Sequence, residues 1–270
     1  MLILLTGHRG LIGRATEQRL IADGHEVRGF DLADGNDILD AGAVRKAARG
    51  VETIVHCAGL PDAHPIASET MAIVLQGTSN ALLAAEAEKV RRVVHFSSGK
   101  SLGMLEREPD YLPMDDDHRG LPSRPYGLAK WLSEEMCAAI THRSGIETIC
   151  LRPVAVFDAA RYHSALAAPE SPPTAAAPWH MGVHIDLRDV AEAAAAAVRA
   201  HTPKHTRLLL CAADIADSRP TLELVAKHLP HVPWRGGPEY KDDVYRSLID
   251  IGRARTVLGW EPRHRWPGRA

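Results

Sequence analysis

Cysteine is scarce in this sequence and never paired in a motif. Four occur in 270 residues, Cys57, Cys137, Cys150 and Cys211, with no CxxC among them. That argues against a disulfide framework or a thiolate metal site, and buried thiols in a reducing cytosol are expected. The fifteen histidines show no HExxH or comparable ligand spacing, so no metal site is expected. Neither sign of charge dominates, since 32 Lys+Arg face 34 Asp+Glu for a formal net of −2. Without a broad basic field, nucleic-acid binding is not the default reading. No apolar run approaches the ~20 residues that span a bilayer, so no membrane partner is expected. The stretch Leu2–Thr6 lacks a basic flank and is too short for a secretory h-region, so it reads as a strand and the protein as cytoplasmic. Internal repeats are missing, and compositional bias is confined to Ala-rich stretches.

What is present is a globular composition, 45% hydrophobic and 24% charged, which rules out wholesale disorder. The length suits one or two domains and buries a full core without staples. Short apolar runs alternate with helical spacings. Strands are predicted at 2–5, 27–30, 53–58, 92–96 and 146–151, with helices over 11–23, 41–49, 68–88 and 124–143. Runs buried on both faces and separated by helices predict an α/β fold with a doubly wound parallel sheet of Rossmann type. The alternation breaks after Phe157. Residues 158–183 carry Pro169, Pro172, Pro173 and Pro178 among alanines, and read either as a surface loop or as a substrate-covering segment. Helical pattern returns at 187–200 and 221–229, with a late strand at 208–210. The expected division is a dinucleotide-binding domain over 1–157 with a returning segment 184–200. A small C-terminal substrate-binding region comprises 158–183 and 201–270.

The first strand runs into Thr6-Gly7-His8-Arg9-Gly10-Leu11-Ile12-Gly13, which opens the first helix. Glycines at 7, 10 and 13 let a backbone approach a pyrophosphate on a positive helix N-terminus. Asp31 ends the second strand, where a carboxylate accepts ribose hydroxyls and repels a 2′-phosphate. This favours NAD and disfavours NADP. Arg9 is a counter-signal, because a guanidinium pairs with phosphate. Asp37-Ile38 follows, placed to flank an adenine.

Tyr126 and Lys130 stand four apart on a predicted helix and so share one face. A neighbouring cation favours the phenolate and fits Tyr126 for general acid/base work. Ser98, just past the strand 92–96, is placed to donate to a substrate carbonyl oxygen. The plainer alternatives are a surface Tyr/Lys pair and a strand-end hydroxyl.

With these residues in view, the chain resembles an extended short-chain dehydrogenase/reductase of the NAD-dependent epimerase/dehydratase family. Supporting segments are Ile54-Val55-His56-Cys57-Ala58-Gly59, Gly77-Thr78-Ser79-Asn80, Leu112-Pro113-Met114-Asp115-Asp116-Asp117, Leu151-Arg152-Pro153, His184–Val190 and Leu258-Gly259-Trp260-Glu261-Pro262. The resemblance implies that Tyr126 is the acid/base, that Lys130 bonds the nicotinamide ribose, and that Ser98 polarises the reacting oxygen. Cys57, Ala58 and Gly59 would border the adenosine half of NAD, and Pro153 and Val156 the nicotinamide. A homodimer through the helices 68–88 and 124–143 is implied too.

Departures narrow the chemistry. Gly99-Lys100 stands where sugar 4,6-dehydratases resembling this family place Asp-Glu, which disfavours water elimination. Hydride chemistry at a sugar-like small molecule remains, as dehydrogenase or reductase first and nucleotide-sugar 4-epimerase second. Free sugar acids enter because uronate dehydrogenases, which act on them, resemble this chain in length. A non-catalytic dinucleotide regulator is the third reading, opposed by the intact Ser98, Tyr126 and Lys130. Lys100, Arg161, Trp179 and His184 are candidate substrate contacts, with Arg152 and Arg188 beside them. The plainer alternative makes Arg161 a solvated cation and pairs Arg188 with Asp189.

Overall fold

Strands that are apolar on both faces are stable only inside a sheet covered by helices. The computed structural model describes residues 1–167, 182–201 and 204–269. Its elements in chain order are β1 (Leu2–Thr6), α1 (Leu11–Ala22), β2 (Glu26–Phe30), α2 (Ala41–Ala48), β3 (Thr53–His56), α3 (Ala67–Ala87), β4 (Arg92–Phe96), α4 (Pro125–Ser144) and β5 (Glu147–Pro153). Then come β6 (Val156–Phe157), α5 (Ala159–Ala167), β7 (Ile185–Asp186), α6 (Leu187–Arg199), β8 (His205–Leu210), α7 (Thr221–His228), α8 (Glu239–Asp242) and α9 (Gly252–Leu258). Short 3-10 turns follow β2 at Leu32–Asp34 and β4 at Gly99–Leu102.

Six strands form one parallel sheet in the order β2-β1-β3-β4-β5-β8. The chain winds outward from β1 in both directions, the doubly wound topology expected. A crevice opens at the carboxyl ends where the winding reverses, and ligands bind there in open α/β sheets. Alternate side chains feed two cores. Ile3, Leu5, Val55, Val94 and Ile149 face one layer, where α1 packs on α6. Leu4, Ile54, Val93 and Cys150 face the other, covered by α2, α3 and α4.

Three features depart from the sequence expectation. The last strand starts at His205 rather than 208 and pairs with β5. Residues 205–210 therefore extend the main sheet instead of opening the C-terminal region. Residues 159–167, expected as irregular, form α5. The short α8 and α9 went unforeseen because they have too few residues to show a helical period. The four prolines between 169 and 178 lie outside the described residues, as does Trp179.

Candidate active site

Each glycine of the first turn has its own physical reason. Gly7 has φ +72°, and a β-carbon there would lie 2.6 Å from the Ala58 amide. A β-carbon on Gly13 would collide with Gly7 O and His8 Cα. Gly10 meets no such obstruction; it is exposed and is the N-cap of α1. That helix start has no side-chain cap and no acid in its first turn. The amides of Leu11, Ile12 and Gly13 have no acceptor among the described residues. Such a helix end attracts an anion. A dinucleotide pyrophosphate therefore fits it.

The expected ribose side lies at the end of β2. Asp31 Oδ1 accepts from Ala33 N at 3.0 Å, and Oδ2 from Arg9 N at 3.0 Å. Each oxygen keeps a lone pair for a ribose hydroxyl. The Arg9 guanidinium does not point at an open phosphate position. It grips Asp34 through Nε and Nη2 at 2.9–3.1 Å. Asp37 caps the amide of Leu39 at 2.9 Å. Ile38 is buried against Gly77, and its carbonyl accepts from Asn80 Nδ2 at 2.8 Å. The sequence segment 77–80 thus braces the loop that follows β2.

The β3 exit joins this half to the next. Cys57 and Ala58 are half-buried, and burial pushes the Cys57 thiol well above its usual range. A β-carbon on Gly59 would lie 3.7 Å from Lys130 Nζ. Lys130 is 5% exposed and donates to Phe96 O at 2.7 Å, at the end of β4. Its Nζ stands 5.8 Å from the centroid of the Tyr126 ring. Ser98 caps the turn after β4, its Oγ accepting from Lys100 N at 3.2 Å, and it lies near enough to the Tyr126 phenol to favour the phenolate. Ser98, Tyr126 and Lys130 are thus brought together as expected.

Their electrostatics differ from expectation. Burial pushes the Tyr126 phenol up to about 12, with Ser98 pulling the other way and Asp62 adding to the rise. Burial also takes the Lys130 ammonium down to about 8. The cation expected to lower the phenol is itself disfavoured, because both groups sit in the same poorly solvated crevice.

The substrate candidates divide. Lys100 is half-buried and ion-paired with Asp62. Exposed Arg161 donates to Val156 O at 2.9 Å and lies 4.5 Å over the Phe157 ring. Among the described residues its guanidinium forms no ion pair, although the Asp158 carboxylate, which accepts from the Arg161 amide at 2.9 Å, lies near enough to favour its charge. His184 is a correction. It is fully buried, against Phe157, Tyr162 and Trp266, and its Nδ1 bonds Gly182 O. Packed there, with Nε2 3.8 Å from Asp214, it offers no exposed atom to a substrate. Arg152 is likewise buried, donating to Glu134 at 2.6 and 2.9 Å and to Asp116 O at 3.1 Å. Arg188 pairs with Asp186 at 2.8 Å, leaving Asp189 for other partners. Buried Pro153 and half-buried Val156 close the end of β5. Asp34, Asp62 and Glu134 were missed from sequence. Only Asp34 carried a signal, as an acid three places past Asp31 and opposite in sign to Arg9.

Residues 3–168 match the NAD-dependent epimerase/dehydratase family. The chain belongs to that family. Among curated proteins of similar sequence is a uronate dehydrogenase of Pseudomonas syringae pv. tomato. It is 30% identical over 165 residues, covering 56% of this chain and 58% of that protein. A UDP-glucose 4-epimerase of Rhizobium meliloti is 28% identical over 168 residues, 56% of this chain and 50% of that protein. The matches thus span about half the length of these relatives. A short-chain dehydrogenase/reductase superfamily protein of Agrobacterium tumefaciens, solved with bound NAD, is similar over nearly the whole fold. It is 26% identical, covers 98% of this chain and 94% of its own, and has a TM-score of 0.73. Among the described residues no helix is long and apolar enough to cross a membrane, and no cluster of His, Cys, Asp and Glu could hold a metal ion.

Proposed function

We propose that this member of the family is an NAD-dependent oxidoreductase acting on a secondary alcohol or ketone of a small sugar-like molecule. One observation carries the reading. Ser98, Tyr126 and Lys130 meet at the carboxyl end of β4, and Gly59 links Lys130 to the strand exit beside the phosphate-binding turn. The turn, Asp31 and the β3 exit fit the dinucleotide, which when bound supplies the hydride acceptor or donor.

The chain's own residues handle the proton and the oxygen. Ser98 Oγ holds the reacting oxygen by a hydrogen bond. Tyr126 Oη takes the hydroxyl proton when an alcohol is oxidised and returns one when a ketone is reduced. Lys130, fixed on Phe96 O, donates toward the cofactor ribose and favours the phenolate once a ligand supplies further polar partners. Phe157, Arg161 and the chain after β8 form the substrate side, and Arg161, whose guanidinium forms no ion pair among the described residues, suits a carboxylate. This places sugar acids first among substrates, in line with the uronate dehydrogenase relative. The 4-epimerase relative supports a second reading, in which NAD is retained through each turnover. We read the protein as cytoplasmic and as a homodimer through α3 and α4, where Leu83 is left exposed.

The test is Tyr126→Phe, assayed with NAD+ on hexuronates, aldoses and small ketones. Turnover should fall by at least about a thousandfold, in the upper range of general acid/base effects, while NAD+ affinity stays within about twofold. Survival of turnover within a few-fold sinks the assignment. Mass spectrometry of nucleotide released on denaturation separates the two reactions. Stoichiometric NAD supports the epimerase, and an empty protein the dehydrogenase.

A further inference from the structure

The clamp on Arg9 is built in more detail than a chance surface pair. Both oxygens of Asp34 are used. Oδ1 takes Arg9 Nε and Nη2, and Oδ2 takes Arg9 Nε at 3.0 Å and His8 Nε2 at 2.6 Å. His8 is buried and is held behind by Glu17 through Nδ1 at 3.2 Å. Its ring lies where a β-carbon on residue 29 would stand, so Gly29 makes room for it. A buried imidazole thus braces the carboxylate, and the carboxylate fixes the guanidinium in a bidentate fork. An ordinary exposed ion pair has no such brace.

Its position gives the clamp a consequence. Arg9 N is bonded to Asp31 Oδ2, so the clamp adjoins the carboxylate assigned to the ribose hydroxyls. An arginine beside that ribose is the group that accommodates a 2′-phosphate. Here the arginine is present, but its fork is already filled by a carboxylate. A phosphate arriving there would meet two acids, Asp31 and Asp34, and one cation already neutralised.

We propose that Asp34 is a coenzyme-specificity residue, which by holding Arg9 against the His8 brace denies that guanidinium to an adenosine 2′-phosphate. The proposal rests on the dinucleotide site assigned above. Asp34 acts through Arg9 and is a positioning residue. Asp31 excludes the phosphate by direct repulsion, and Asp34 removes the counter-charge that would offset it.

The experiment measures Kd for NADP+ and NAD+ with the full chain, in Asp34→Ala, Arg9→Met and the double variant, by calorimetry at fixed salt. The ratio of Kd for NADP+ to Kd for NAD+ should fall about tenfold in Asp34→Ala. In the double variant, taken relative to Arg9→Met, the fall should shrink to about threefold or less, the part due to losing one negative charge. An unchanged ratio in Asp34→Ala overturns the proposal, provided NAD+ still binds. So does a full tenfold gain without Arg9, which would make the effect bulk charge alone. Asp34→Asn, which keeps the shape of the turn, serves if the alanine variant folds poorly, and should show the same direction. If the unaltered protein binds neither dinucleotide, the site assignment itself has failed, an outcome distinct from a ratio that does not move.

Discussion

Lys130 illustrates what the sequence shows of a residue and what it hides. Its spacing from Tyr126 and its place past β4 were readable, because helical period and strand order are local. Its solvation was not, because it is buried against parts distant in the chain, the end of β4, where it meets Phe96 O, and the β3 exit at Gly59. The consequence is measurable in the cofactor-free protein. The folded state holds the ammonium at about 8 against its ordinary 10.5, so the unfolded chain binds more protons between those values. Stability contributed by Lys130 therefore rises with pH through that window. Tyr126, raised from 10.0 to about 12, contributes in the opposite sense, its stability being lost as pH rises above 10. Between pH 8 and 10 the lysine term stands clear. The unaltered protein should gain roughly 2 kcal/mol there relative to Lys130→Met, from 1.36 kcal/mol per unit of pH at most. Urea titrations at three pH values give the difference, and parallel curves for the two proteins would show that Lys130 is not held neutral by burial.

At the level of elements, the strand–helix alternation was legible almost throughout, because caps and periodicities are written in neighbouring residues. Asp40 and Asp186 cap their own helices at positions the pattern already marked. What joins the elements was not legible. Arg92 begins β4 and is almost wholly buried, yet nothing near it in sequence explains a buried cation. Its guanidinium donates to Ala197 O, Val198 O and Ala200 O at 2.5–2.8 Å and to Glu147 at 2.6 Å. It is the C-terminal cap of α6, supplied from about a hundred residues upstream. A cation there satisfies carbonyls that the helix leaves unpaired and suits the negative end of its dipole. Arg92→Met removes all of this, while Glu147 keeps Arg91. A loss of about 3 kcal/mol is expected from several buried acceptors left unmet. Equilibrium unfolding checks it, and a loss below about 1 kcal/mol would mean that water replaces the cap.

Across the whole molecule, the proposed site is assembled from parts that only the complete fold brings together, and the tail is the last of them. Two fully buried carboxylates, Asp189 at the start of α6 and Asp214 after β8, have no Lys or Arg neighbour in sequence that accounts for both. Asp189 receives the amides of Arg263 and His264 at 3.1 and 2.9 Å. Asp214 receives the amide of Trp266 at 3.1 Å. These bonds carry the tail over the proposed substrate side and set the Trp266 ring 5.3–5.7 Å from His184, Phe157 and Tyr162. This is why His184 lies in the core and not on an exposed face. Its surface is covered by a segment some eighty residues later, which no local pattern announces. The same cluster supports Phe157, over which Arg161 lies. Trp266→Ala should therefore act on substrate binding more than on proton transfer. KM should rise severalfold while kcat stays within about twofold, since Ser98, Tyr126 and Lys130 keep their partners on β4 and α4. Steady-state kinetics on the best substrate from the panel decides it. A fall in kcat with KM unchanged would place the tail's influence on the reacting centre instead, and unchanged kinetics would leave the aromatic cluster a purely structural clasp.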